Sequence, residues 1–269
     1  MSDVAGNTYG IVILSADAST PHETFTPSVN FFSPDCDPAP IPVPEGGAIE
    51  GETGYACVGG GDCHLIVVDE FTCRLHEMWV ADRTSDSQFD GGCQAIWDLT
   101  AQYRETLRGD CCTSADAAGL PIAPLMVTAD EIAAGRIEHA LRFILPNAYI
   151  RDSAYASPAT HATAAASGGA NAPPYGARMR LRDDVDISSL SPGAQVVATA
   201  LKEYGMFLAD GGNITFTFAN DRFTTAKWSE VDLSAADLTG LAWTDFEVLD
   251  LGIVHDFSAC SCTRTPITN

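Results

Sequence analysis

Residues 63–81, CHLIVVDEFTCRLHEMWVA, place a histidine and a carboxylate on what should be an apolar strand face. Two β-rich runs flank Asp69, Glu70, Phe71 and Thr72, the composition of a hairpin turn. Pairing Val68 with Cys73 sets Ile66 opposite Leu75 and His64 opposite Glu77. Side chains alternate along a strand, so one face carries His64, Ile66, Val68, Cys73, Leu75, Glu77 and Trp79. A carboxylate there must be paired, metal-bound or held at an unusual pKa. Acid–base residues and ligands need those same conditions. The competing reading is a satisfied His–Glu pair inside a core. A one-residue slip would send both groups to the other face.

Three chemistries suit these residues. Glycoside cleavage needs an acid and a second carboxylate across a cleft. Glu77, between Leu75 and Trp79, is the candidate acid, since apolar neighbours raise a carboxyl pKa. Asp116, in the small-residue loop 114–119, is the candidate partner, with turn capping as its ordinary role. Asp210 is a further partner on the substrate side, with a helix-end turn as its ordinary role. Trp79, Tyr155, Tyr175 and Trp228 could stack on sugar rings, although single aromatics more often pack.

His64, Glu77 and His139 also form a two-histidine, one-carboxylate set. If they converge, they could hold a divalent metal, the one cofactor these residues suit. His139 joins the candidate catalytic set because it is a second polar residue on an apolar strand face. The third chemistry is a lyase on uronic-acid polymers. His161 or Tyr175 would be the base, and Arg178 would neutralise the substrate carboxylate. A non-catalytic glycan-binding or surface structural protein is the remaining alternative.

Composition narrows the partners. The 269 residues carry 36 acidic against 14 basic side chains, for a net charge of −22, and Lys202 and Lys227 are the only lysines. Such a surface repels phosphate backbones, which excludes nucleic acid and disfavours anionic membranes. Arg178, Arg180 and Arg182 alternate on one strand face as a local exception. Apolar runs are too short to span a bilayer. Nine cysteines without a CxxC pair read as disulfides of an oxidising compartment, with one thiol left over and the pairing open. The opening MSDVAGNTYG lacks the basic and apolar regions of a signal peptide, so a secreted protein would be present here in mature form.

Local patterns predict a mainly-β fold: one antiparallel β-sandwich or jelly-roll domain over residues 1–269, with a few short helices and one longer helix. Residues 9–15 predict a strand and 33–54 an irregular Pro/Gly-rich segment. Residues 95–99 lead into a short helical stretch predicted to end near Gly109. Thr128 to Glu131 forms a capping box. Residues 136–145 alternate as a strand with Ile137, His139, Leu141, Phe143 and Leu145 on one face. A long loop covers 146–176. Pro192 starts the longest helix, over 192–208, ended by residues 210–213. Residues 214–218 and 244–250 predict strands, and 234–238 a capped helix. A cysteine-containing tail occupies 255–269.

Several segments resemble, as a set, a widespread group of uncharacterised secreted bacterial and fungal proteins, some attached to carbohydrate-active modules. They are HLIVVDEFTCRLHEMW (64–79), GDCCTSADAAGLPIAP (109–124), IEHALRF (137–143), SPATHA (157–162), PPYGARMRLR (173–182) and ALKEYGMFLADGGN (200–213). The resemblance spans about residues 60–250 and leaves the cysteine-containing tail outside. It implies a secreted, polysaccharide-associated β-sandwich and brings no catalytic assignment. Together these readings give the expectation of a secreted glycoside hydrolase using paired carboxylates on a polysaccharide, with oligomeric state open.

Overall fold

The computed structural model describes residues 10–29, 31–85, 87–213 and 215–268. In chain order its elements are β1 (Ile13–Ala16), β2 (His22–Pro27), β3 (Ile41–Pro42), β4 (Leu65–Asp69), β5 (Arg74–Trp79), β6 (Asp82–Ser85), β7 (Gln88–Gly91) and β8 (Cys93–Asp98). Then come α1 (Ala129–Ala133), β9 (Leu141–Leu145), β10 (Ala154–Ala156), β11 (Arg178–Leu181), α2 (Pro192–Glu203), β12 (Met206–Gly211), β13 (Phe246–Val248) and β14 (Val254–Asp256). The fold is mainly β, as expected. Three sheets are mixed rather than purely antiparallel, with orders β1-β4-β5-β8, β3-β2-β7-β6 and β13-β11-β12-β9, and the fourth is the antiparallel pair β10-β14. The pairs β1–β4, β2–β7 and β9–β12 are parallel. Long connections separate their members, as parallel pairing demands, and no local sequence signal reports it.

The hairpin forms with a register two residues from the expected one: Val68 meets Leu75, Ile66 meets Glu77 and Asp69 meets Arg74. Asp69 sets the turn, since its carboxylate accepts from the Phe71 and Thr72 backbone N–H groups at 3.0 and 3.2 Å. An even shift keeps every side chain on its face. Leu65, Val67 and Met78 therefore pack into one core cluster, and Ile66, Leu75 and Trp97 into another on the opposite face. The third and largest cluster joins α2 (Val197, Leu201) to β9 (Leu141, Phe143) and β12 (Leu208). Burying each such side chain contributes roughly 1.5–3 kcal/mol.

The capping box at Thr128 and Glu131 forms, and Ser191 with Pro192 starts α2. The latter helix is shorter than expected. It stops before Gly205, whose φ of +73° suits glycine and where a Cβ would lie 2.4 Å from the Met179 carbonyl oxygen. Residues 206–211, expected as helix and helix-end turn, form β12 instead, because Met206 and Leu208 alternate into the core. A bulge between Leu208 and Asp210 brings Asp210 opposite Ile144. Without it Ala209 would take that position, so the bulge puts Asp210 on the strand face that carries Arg142.

Other elements are trimmed. His139 precedes β9 rather than lying in it. Residues 93–98 are a strand, and the helical stretch expected after them is a run of turns. The expected strand around Phe216 and Phe218 reduces to an isolated bridge between Phe216 and Phe143, and Ile214 lies outside the described residues. Residues 234–238 form a turn that Asp237 closes through the Ser234 backbone and hydroxyl.

Four disulfides join Cys36 to Cys93, Cys57 to Cys63, Cys111 to Cys260 and Cys112 to Cys262, and Cys73 is free and exposed. They fit an oxidising environment. No helix among the described residues is long and apolar enough to cross a membrane. The tail is part of the structure: β14 pairs with β10, and Arg264 reaches buried Asp37 at 2.7 Å beside Arg108 at 2.6 Å.

His76, buried in β5 with its Nδ1 unpartnered, has its pKa lowered to about 4 by burial. The unfolded chain takes up a proton near pH 6.5 that the folded chain refuses, so stability is lost as pH falls from 6.5 towards 4. This window is expected to cost about 3 kcal/mol. His76→Leu should flatten it in urea titrations at stepped pH. An unchanged slope in the variant would place the acid sensitivity elsewhere.

Candidate functional site

Arg142 is the centre of a charged cluster between the core clusters. Its side chain, on β9, is 3% exposed. One terminal nitrogen lies 2.5 Å from Asp116 Oδ1 and 3.7 Å from Asp210 Oδ2, and the other donates to Thr217 Oγ1 at 3.0 Å. Two carboxylates share one guanidinium. The Asp116 side chain is fully buried, while the Asp210 side chain is 28% exposed. Burial raises the pKa of both. Arg142 opposes this at each, and at Asp116 the charge of Asp210 raises it further. One cation cannot balance two buried anions, so the pair holds a proton well above the ordinary carboxylate range.

A second pair flanks the first. His64 Nδ1 lies 2.6 Å from Glu50 Oε2, and His64 Nε2 lies 3.2 Å from the Ala115 carbonyl oxygen. Both ring nitrogens face acceptors, so the imidazolium form is held. Burial works against that charge, and Glu50 outweighs it, so the His64 pKa is raised. At Glu50 burial works upwards and is outweighed by the His64 hydrogen bond and charge, so its pKa is lowered. The Glu50 side chain is 29% exposed. Arg142 acts electrostatically on Glu50, and His64 on Asp210, so the two pairs share one field.

Local structure explains why these groups meet. The loop carrying Asp116 is pinned by Ser114 Oγ donating to the Leu120 carbonyl at 2.7 Å, and by Ala118 N–H donating to Ala209 of β12 at 3.0 Å. Gly119, with φ of +76°, lies so close to Thr160 that a Cβ would sit 2.3 Å from its hydroxyl. Thr160 N–H donates to the Ala118 carbonyl, and Gly176 N–H to the Leu208 carbonyl. The segments around 116, 142, 161, 175 and 210 thus converge on one place.

The remaining expected site residues divide clearly. Glu77 is fully buried and accepts from Trp97 Nε1 at 3.0 Å and from the Ile122 and Ala123 backbone N–H groups at 2.8 Å. Burial raises its pKa against those three donors. It anchors the 115–126 loop on the hairpin and does not pair with His64. His139 sits between Glu131 at 2.8 Å and the Ala140 carbonyl at 2.9 Å. Neither His64 nor His139 has a nitrogen lone pair to offer, and the oxygens of Glu77 are taken, so the three do not fit a metal. Asp35, Cys112 and Cys262 lie close together, but the two sulfurs form a disulfide.

Tyr175 is buried, bonded to Thr163 at 3.0 Å, and its phenol is pushed up to about 12 by burial, with Asp210 and Asp116 adding to it. A lyase base would need the opposite shift. His161 Nδ1 donates to the Ala117 carbonyl at 2.8 Å, and burial lowers the ring's pKa. Tyr155 stacks on His255 and donates to Asp110, and Trp228 donates to the Ala219 carbonyl. Arg178 donates to the Tyr204 carbonyl, Arg180 pairs with Glu247 and Arg182 with Asp184, so the arginine stripe is internally spent. Trp79 is half-buried and donates to Asp62 at 3.0 Å. Comparison with protein-family models, curated proteins and solved structures finds no match.

Glu50, Arg142 and Thr217 were not among the expected residues. Arg142 did carry a signal, as a cation inside the apolar run LRFIL. Arg142→Leu should strand two buried carboxylates and cost about 3–5 kcal/mol. Glu77→Gln should cost about 1–3 kcal/mol by setting an amide against backbone donors. Denaturant midpoints check both, and a neutral Arg142→Leu would remove the cluster's structural role.

Proposed function

We propose that this protein is a secreted hydrolase of polysaccharide, with Asp210 as the proton donor and Glu50 as its ionised counterpart. The observation that carries the reading is a pair of carboxylates, each about equally exposed, one beside an imidazolium and the other beside an oversubscribed guanidinium. Their environments push the two pKa values apart, as acid and base roles require. Asp210 would give its proton to the leaving glycosidic oxygen. Glu50 would supply the negative charge that an oxocarbenium-like transition state attracts, and water would complete the cleavage. Asp116 is then a positioning residue, acting through Arg142. The mainly-β scaffold, read as a sandwich of its larger sheets, and the four disulfides suit an extracellular enzyme.

Product release from a polysaccharide panel tests this. Asp210→Asn and Glu50→Gln should each lower the rate about 10²–10⁴-fold, whereas Glu77→Gln should retain activity per folded molecule. Activity should follow a bell in pH. It should fall on the acid side as Glu50, lowered from 4.5, takes up a proton, and on the basic side as Asp210, raised from 3.8, loses one. Full activity in Asp210→Asn would end this assignment. An absence of product from every polymer would favour glycan binding instead.

A further inference from the structure

A cavity of about 860 Å³ opens beside the charged cluster. Phe216, Phe218, Leu238, Leu241, Trp243 and Phe246 make its apolar wall. Glu50 and Thr217 also line it, and these are the residues that hold His64 and Arg142. The cavity and the cluster therefore share a boundary. Its wall is braced: Phe218 stacks on Trp228 with ring centres 5.6 Å apart, and Phe216 lies 6.1 Å from Phe218. The volume falls within the range of roughly 300–1,000 Å³ that encloses small organic ligands.

The lining selects the occupant. Thr215, Thr217, Ser234 and Thr239 also line it, but phenyl and indole rings and leucines make up most of the lining, which suits an aromatic group better than a sugar. Glu50 at the edge is already paired with His64, so the cavity offers no spare cation to an acid, and a chain of net charge −22 disfavours fatty-acid and uronic-acid anions. We infer that this cavity is the subsite for an uncharged aromatic group, attached to the sugar whose bond is cleaved beside Glu50 and Asp210. The sugar side of this inference rests on the hydrolase reading. The aromatic side rests on the cavity alone.

Titration calorimetry of the full chain with 2-naphthol, a neutral aromatic probe, tests the cavity directly. Saturable binding to the wild type is expected, weakened at least about tenfold in Leu238→Trp, which fills the space, and unchanged in Asp210→Asn. Leu241→Arg serves as a second cavity variant if Leu238→Trp does not fold. No saturable binding by the wild type, or equal binding by a folded cavity variant, would overturn the subsite. A panel of 2-naphthyl glycosides separates the two readings. Hydrolysis with a KM that Leu238→Trp leaves untouched would refute the subsite and keep the hydrolase. Naphthol binding with neither naphthyl glycoside nor polysaccharide hydrolysed would refute the hydrolase and keep the cavity as an aromatic site.

Discussion

A guanidinium buried against two carboxylates constrains everything around it. Arg142 cannot leave water unless anions and acceptors come to it, and they arrive from two distant stretches of chain, Asp116 from one and Asp210 with Thr217 from the other. That requirement explains the bulge in β12 and the pinned loop around Asp116. It also explains why the site falls at the junction of the core clusters, where strands of one sheet and a loop packed on another can contribute together.

The molecule repeatedly solves the same problem of a carboxylate removed from water. Glu77 takes an indole and two backbone donors. Asp37 takes Arg108, Arg264 and the backbone N–H groups of Ile96 and Ile267. These two are saturated, and a saturated carboxylate holds the fold. Asp210 differs. Its charged partner lies at a longer distance and is shared, and its side chain keeps contact with solvent. Asp210 accepts one backbone N–H, from Gly211 at 2.7 Å, and so keeps more unfilled valence around its oxygens than the other two.

Sequence alternation found the hairpin and kept its faces correct despite a register two residues off, because an even shift preserves sidedness. It also found the capping box and the start of α2, which are local features. Asp116 and Asp210 could be singled out as candidates, yet Asp210 read as a helix-end residue, since the spacing of Leu201, Tyr204 and Leu208 fits a helix as well as residues 206 and 208 fit a strand. Glu50 lay hidden in a Pro/Gly-rich segment, 14 residues from the histidine that holds it. Glu77 satisfied every local criterion for an acid, and only the tertiary approach of Ile122 and Ala123 gives it a structural role. Local patterns report which groups will be buried. Which partners meet them depends on long-range pairing.

The adjacent cysteines at 111 and 112 tie the loop that carries Asp116 to Cys260 and Cys262, 149 and 150 residues further on. A ribosome delivers those partners long after the loop itself. During synthesis the loop must therefore wait unlocked, with two neighbouring thiols open to incorrect bridges. The covalent frame around this loop can close only after those 150 residues have followed it, so order of synthesis alone does not select the correct bridges.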